Sequence, residues 1–232
     1  MERQHRWGPA FRAALPATLP VLTGFLCIGI AYGLLMQTKG YGPLWSALMS
    51  AVAFCGSMQF VAIGFLTAAF DPLQAFLLSV MVNARHLFYG LSMLEKYKGM
   101  GKLRRFFVVY TMCDENFSLT STLEPPEGVD KGDFYFCLCL LDYSYWIAAS
   151  ALGGLLGSLI TFDTTGLDFA LTALFVVLFL EQWKKRENRP SAAIGVVCTA
   201  LCVAVFGADG MIIPAMVLIV AVLLGGRKKL CT

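Results

Sequence analysis

An all-α, polytopic integral membrane protein is the fold class this sequence predicts. Three observations carry that reading: composition, long uncharged runs, and a few polar groups set deep inside them. The 232 residues are 58% hydrophobic and 14% charged, where a soluble domain carries about 25% charged residues. Mean hydropathy is +0.70. Residues 13–36, 43–70, 191–206 and 211–226 contain no charge, and roughly 20 apolar residues suffice for a helix to cross a bilayer. No polar interval is long enough for a sizeable soluble domain, so the whole chain, 1–232, reads as one transmembrane domain.

The first run, 13–36, carries Pro16, Pro20, Gly24, Gly29 and Gly33. It is too long for a signal-peptide core and is expected to be retained. Gly29-x-x-x-Gly33 reads as a small-residue ridge for close helix contact. Residues 43–70 exceed a straight span, and Cys55-Gly56-Ser57-Met58-Gln59 is the expected break, with Gly56 and Ser57 freeing the backbone. Asp71-Pro72 then turns the chain into a third run, 72–94, followed by a basic stretch holding Lys96, Lys98, Lys102, Arg104 and Arg105. Residues 106–122 are short and interrupted by Asp114-Glu115-Asn116. Residues 134–160 and 168–183 read as further spans, with Asp142 and Glu181 placed toward their ends, and 191–206 and 211–226 close the chain.

The placement of lysine and arginine orients these spans. If every segment crosses, the Lys96–Arg105 cluster falls outside. If 106–122 does not cross, seven spans result, with a cytoplasmic C-terminus and only Arg3, Arg6 and Arg12 on the far side. Seven is the preferred count. A six-span version, with one more non-crossing segment in the first half, separates the basic residues better still and stays open beside it. A glycine-rich span, a span with a glutamine and a span opened by proline occur twice, anchored at Gln59 and Pro72, then Gln182 and Pro190. With seven spans the two triplets, 13–94 and 134–206, run in opposite senses, as in the inverted repeats of secondary transporters. Residues 211–226 form an extra helix.

A charged side chain at bilayer depth costs roughly 2.5–3.5 kcal/mol, so Asn83, Arg85 and His86 inside 72–94 mark a face that looks onto protein or water. Asn83 and His86 share a helix face, while Arg85 points about 100° away from His86. Asp114 or Glu115 is the expected partner for Arg85, because a buried guanidinium needs a carboxylate. His86 is the candidate proton switch. Gln59, Gly56 and Ser57 could present polar groups to a ligand, and Met58, Phe60 and Phe88 an apolar wall. Cys27, Cys55, Cys113, Cys137, Cys139, Cys198 and Cys202 lie in apolar segments without a C-x-x-C, so they read as packing residues, and no metal is expected. A membrane-embedded hydrolase is disfavoured: H-E-x-x-H and G-x-S-x-G are absent and only one histidine lies at depth. A scaffold whose polar groups serve helix association is the other alternative.

Gly56-Ser57-Met58-Gln59-Phe60, Asn83-Ala84-Arg85-His86-Leu87-Phe88-Tyr89-Gly90 and Asp114-Glu115-Asn116-Phe117 resemble the signature stretches of the AzlC family of branched-chain amino acid permeases. The resemblance covers nearly the whole chain, with Cys55, Met58 and Cys113 as small departures. It implies export of branched-chain and similar amino acids from the cell across a bacterial inner membrane, driven by protons. It also implies a small AzlD-type membrane subunit as partner. Gly56, Ser57, Gln59, Asn83 and Arg85 would bind substrate, His86, Asp114 and Glu115 would handle the proton, and Phe60, Tyr89 and Asn116 would support them. No cofactor, nucleic acid or enzymatic activity is implied, and there is no G-x-x-x-x-G-K-[ST] for a nucleotide. One proton crossing 100 mV releases about 2.3 kcal/mol, enough for roughly a fifty-fold gradient of a neutral amino acid at about 1.4 kcal/mol per decade. An apolar pocket separates substrates differing by one methylene by only about 1–3 kcal/mol, so valine, leucine, isoleucine and methionine are expected to overlap.

Overall fold

The computed structural model describes residues 7–67, 71–159, 176, 179–180, 183–184 and 186–230, and among them helix is the only regular structure. The chain divides into two units, Met1–Leu167 and Asp168–Thr232. In chain order the first holds α1 (Trp7–Thr38), α2 (Pro43–Ala53), α3 (Gly56–Thr67), α4 (Pro72–Met93), α5 (Lys102–Tyr110), α6 (Asp114–Thr122) and α7 (Lys131–Leu159). Among the described residues three helical stretches are long and apolar enough to cross a membrane: Trp7–Thr38, Lys131–Leu159 and Arg189–Gly207.

Small residues let α1 lie directly on α7. A Cβ on Gly29 would stand 2.6 Å from the Ala149 Cβ, and one on Gly33 would overlap the Ser150 carbonyl and the backbone of Gly153 and Gly154. The Gly29-x-x-x-Gly33 ridge is therefore the seam itself. Contacts climb both helices in the same direction. Trp7 meets Phe136 at 5.2 Å, Thr18 Oγ1 lies 3.3 Å from Tyr145 Oη, Phe25 meets Trp146 at 5.2 Å, and Gly33 reaches Gly153. The two helices thus run parallel. That is at odds with the opposite senses expected of 13–36 and 134–160 in an inverted repeat.

Residues 43–67 do not run the length of α7, contrary to the expectation of a span there. Pro43 sits beside Gly154 near the C-terminal end of α7, while Tyr143 Oη donates to the Ala51 carbonyl at 2.8 Å further down. The chain then turns back, and Tyr41 Oη donates to Leu66 O at 2.9 Å, so the two ends of the segment meet. The turn is not at Gly56, which opens α3, but at Phe54, whose φ of 36° is the one positive value at a non-glycine among the described residues. Such backbone costs roughly 1–3 kcal/mol and persists where its surroundings over-determine it. Here the buried Phe54 ring packs on Tyr143 at 5.1 Å, and the Tyr110 hydroxyl lies 2.6 Å from the carbonyls of Ala51 and Val52, which α2 leaves without helical donors.

The α5–α6 pair enters from the other end. Arg104 pairs with Asp133 in the first turn of α7, and Tyr110 reaches the level of Tyr143. The chain breaks at Thr111–Cys113 and returns, so that Tyr135 Oη donates to Leu123 O at 3.0 Å. Each nine-residue helix spans about 13.5 Å. Segment 106–122 thus starts and finishes at the Lys131 end of α7. α4 exposes Leu73, Phe76, Val80, Leu87 and Leu91 along one face, a continuous apolar stripe of the kind turned toward lipid.

Lys96 fastens the return loop. Its Nζ donates to Ser121 O at 3.1 Å and Leu123 O at 3.2 Å and pairs with Glu124 at 2.9 Å. The hydrogen bond from Lys96 holds the Glu124 carboxyl below the usual glutamate range. A depressed folded-state pKa stabilises above the unfolded value and loses that contribution as pH falls through the folded one. Backbone amides of residues 123–131 should therefore exchange faster with deuterium once pH drops below the ordinary glutamate range, while those of α7 stay protected.

In the second unit a 3₁₀ turn, Arg186–Asn188, leads into α8 (Arg189–Gly210), and α9 (Ile212–Leu230) follows. They cover the expected spans 191–206 and 211–226, and Gly207, at φ 73°, kinks the first. Most of 168–183, including Glu181 and the Gln182 anchor, lies outside the described residues.

Candidate substrate site at two helix breaks

Both breaks converge on Arg85. One guanidinium nitrogen, Nη2, donates to Ser57 Oγ at 3.0 Å in the first turn of α3, and Nη1 pairs with Asp114 Oδ2 at 2.8 Å in the first turn of α6. Tyr89, one turn along α4, donates its hydroxyl to Asp114 Oδ1 at 2.7 Å and stacks on Phe117 at 4.3 Å. Arg85 thus bridges two helix N-termini from two segments that enter from opposite ends. Those N-termini each carry a partial positive charge of about half a unit, which the arginine reinforces and the carboxyls of the first turn of α6, Asp114 and Glu115, oppose from one side. The centre thus offers a positive side at Arg85 and the start of α3 and a negative side at Asp114 and Glu115. The Arg85 and Asp114 side chains keep 40% and 36% of their surface accessible, so the pair is not sealed into a core.

The flank of the pair is polar and incompletely satisfied. Arg85 Nε and Asn83 Oδ1 are buried without a partner. His86 is half-buried and its ring lies 5.7 Å from Tyr89. Glu115, also half-buried, follows Asp114 in the first turn of α6. Gly56 opens α3 with no Cβ contact available in any direction.

Gln59 does something else. It is fully buried, its Oε1 accepts from Trp146 Nε1 at 2.8 Å and from Cys55 N at 3.3 Å, and its Nε2 donates to Ser50 Oγ at 3.0 Å. Ser50 in turn donates to Ser150 at 2.8 Å. This network ties α2, α3 and α7 together behind the break. Gln59, expected to meet a ligand, has its amide engaged here on the protein side. Phe60 and Met58 are likewise buried, Phe60 against Tyr32 at 5.4 Å, whereas Phe88 faces outward at 68% exposure. The three do not form one wall, because Met58 and Phe60 turn inward on α3 while Phe88 sits beside the lipid-type stripe of α4. Asn116 is buried and donates to Thr111 O at 2.5 Å, closing the end of α5 across the second break.

Sequence reasoning missed three participants. Trp146 and Ser150 look like ordinary span residues until their partners are known. Asp142, expected near a span end, is fully buried at mid-helix, and among the described residues neither of its oxygens has a partner.

The fold and site together define a multi-pass helical membrane protein whose polar side chains are gathered where two short helix pairs break. Residues 20–160 match the family model described as AzlC protein. The chain is 48% identical to the branched-chain amino acid transport protein AzlC of Bacillus subtilis, over 99% of this chain and 89% of that protein. It is 39% identical to an uncharacterized membrane protein of Helicobacter pylori, over 97% and 99% of the two chains, and 24% identical to the inner membrane protein YgaZ of Escherichia coli, over 74% and 72%. No solved structure matches. The chain belongs to the AzlC family.

Proposed function

We propose that this protein is a secondary transporter that exports branched-chain and similar amino acids, exchanging them for protons, together with a small AzlD-type membrane subunit. The observation that carries the reading is the half-exposed Arg85–Asp114 pair strung between the N-termini of α3 and α6. A zwitterion matches it. The substrate carboxylate meets Arg85, Ser57 and the free N–H groups at Gly56, and the ammonium meets Asp114, Glu115 and Asn83 Oδ1, which has no partner of its own. Broken helices facing a shared polar centre are how other transporters hold amino acids at mid-membrane. His86 flanks the site beside Tyr89 and adds a titratable imidazole to the carboxyls of Asp114 and Glu115. Family membership and the printed function of the Bacillus relative support the substrate class.

The basic residues support an orientation. Arg12, Lys96, Lys98, Lys102, Arg104, Arg105 and Lys131 gather at the Lys131 end of α7, and Lys39 follows α1 at the other. Because 43–67 turns back, the start of α1, with Arg12, and the Lys96–Arg105 cluster share one end, which agrees with the positive-inside rule. That end is cytoplasmic in this reading, as is the C-terminus with Arg227, Lys228 and Lys229. A bacterial inner membrane is the setting, as the name of the Escherichia relative suggests.

Radiolabelled leucine counterflow in liposomes, with and without the small subunit, tests the proposal. Leucine, isoleucine and valine should exchange with one another and compete within about tenfold, as an apolar pocket allows. Absence of exchange under both conditions would leave the scaffold reading.

A further inference from the structure

We propose that the carboxyl of Asp142 takes up and gives up the transported proton, linked electrostatically to the Arg85–Asp114 pair through Glu115. This deepens the transporter reading and rests on it for its physiological meaning. Two aspartates of α7 are buried, and the contrast between them is the starting point. Asp133 is paired with Arg104 and accepts its hydrogen bond. Asp142, about two and a half turns further in, has no accessible surface and, among the described residues, no hydrogen-bond partner on either oxygen.

A buried carboxylate without a partner is expensive by several kcal/mol, whereas the neutral acid is not. Asp142 therefore carries its proton in this conformation. The titratable groups facing it are Glu115 of α6, the Cys113 thiol in the break, and Cys139 one turn away on α7. No cation is paired with it among the described residues. Glu115 also feels Arg85 and Asp114, so a charge placed in the substrate site reaches Asp142 through one intermediate carboxyl.

The coupling follows from which end of the zwitterion faces the acidic groups, the carboxylate being taken up by Arg85. When the ammonium of a substrate settles beside Asp114 and Glu115, a positive charge is added next to the acidic groups, and loss of the proton from Asp142 becomes easier. When the substrate leaves, the carboxyls face each other again and one proton returns to Asp142. The site holds the proton or the amino acid, which is the competition an antiporter needs. One proton enters for each zwitterion that leaves, and no bond other than O–H is made or broken. His86 is not required for this exchange.

The test uses the complete chain in liposomes, with its small subunit if exchange requires it. For the unmodified protein, leucine affinity should tighten as pH rises, approaching about tenfold per pH unit where one proton competes. Asp142→Asn, which imitates the neutral acid in size and charge, should still catalyse leucine counterflow at equal pH on both sides. Its leucine affinity should no longer depend on pH, and leucine movement driven by a pH gradient should fall by more than tenfold. Retention of gradient-driven movement in Asp142→Asn, or a pH-independent affinity in the unmodified protein, would overturn the proposal. Infrared difference spectra between acid and alkaline pH give a readout that does not depend on leucine at all. A protonated-carboxyl C=O band that disappears in Asp142→Asn is expected, and the same band persisting in that variant also overturns the assignment. Failure of counterflow in the unmodified protein would instead count against the transporter reading, leaving the infrared result to decide on Asp142.

Discussion

Arg85→Ala should abolish leucine counterflow, reducing it by at least about a hundredfold, the equivalent of losing a charge-assisted carboxylate contact of roughly 3 kcal/mol. The variant leaves Asp114 at the N-terminus of α6 with only the Tyr89 hydroxyl, and Ser57 loses its donor. Breaking a fully buried pair costs about 3–5 kcal/mol, but this pair is more than a third exposed and solvent screens it. Destabilisation of about 1–2 kcal/mol is therefore expected, visible as a modest drop in melting temperature in detergent. The double variant Arg85→Ala/Asp114→Ala should recover most of that stability and none of the transport. Recovery of transport in the double variant would mean that the pair only locks α4 to α6. Arg85→Lys separates geometry from charge, since lysine keeps the charge but not the fork that reaches Ser57 and Asp114 together.

Gly33→Ala should be among the most damaging single methyl groups, with Gly153→Ala on the facing helix, destabilising the protein by about 3 kcal/mol, the upper end for overpacking. The added carbon meets backbone rather than a side chain: the Ser150 carbonyl, the Gly154 nitrogen and, at 2.8 Å, the Gly153 carbonyl carbon. None of these can rotate away, so α1 would have to leave α7. Gly24→Ala in the same helix is the control, because nothing lies within 4 Å of a Cβ there. Gly24→Ala should match or exceed the unmodified protein in thermal stability, whereas Gly33→Ala should unfold earlier and yield less monodisperse protein on size exclusion. Equal melting temperatures for the two would show that the α1–α7 seam is not as close as described.

Helices, and their approximate ends, were legible because each is written in a local pattern. The Gly29-x-x-x-Gly33 ridge announced a close contact, Asp71-Pro72 announced the start of α4, and Asp114-Glu115-Asn116 marked the interruption of 106–122. Arg85 was legible for a different reason: a guanidinium in an apolar run must find a carboxylate, and few were within reach. What could not be read was where each segment turns. Hydropathy measures how apolar a segment is, not how far it travels, so 43–67 looks like a span although its ends meet at Tyr41 and Leu66. Phe54 carries the turn against its own backbone preference, held by tyrosines from α5 and α7 that are distant in sequence.

By itself the sequence determined the class of molecule, the family resemblance and the cluster of polar residues around Arg85, because desolvation penalties are properties of residue type and run length. Only the tertiary structure decided that α1 and α7 run parallel, that two segments fold back to meet at Arg85, that Gln59 is engaged with Trp146, and that Asp142 stands buried without a partner among the described residues. Those outcomes depend on which side chains from remote segments complete one another's hydrogen bonds, and no local pattern records that pairing.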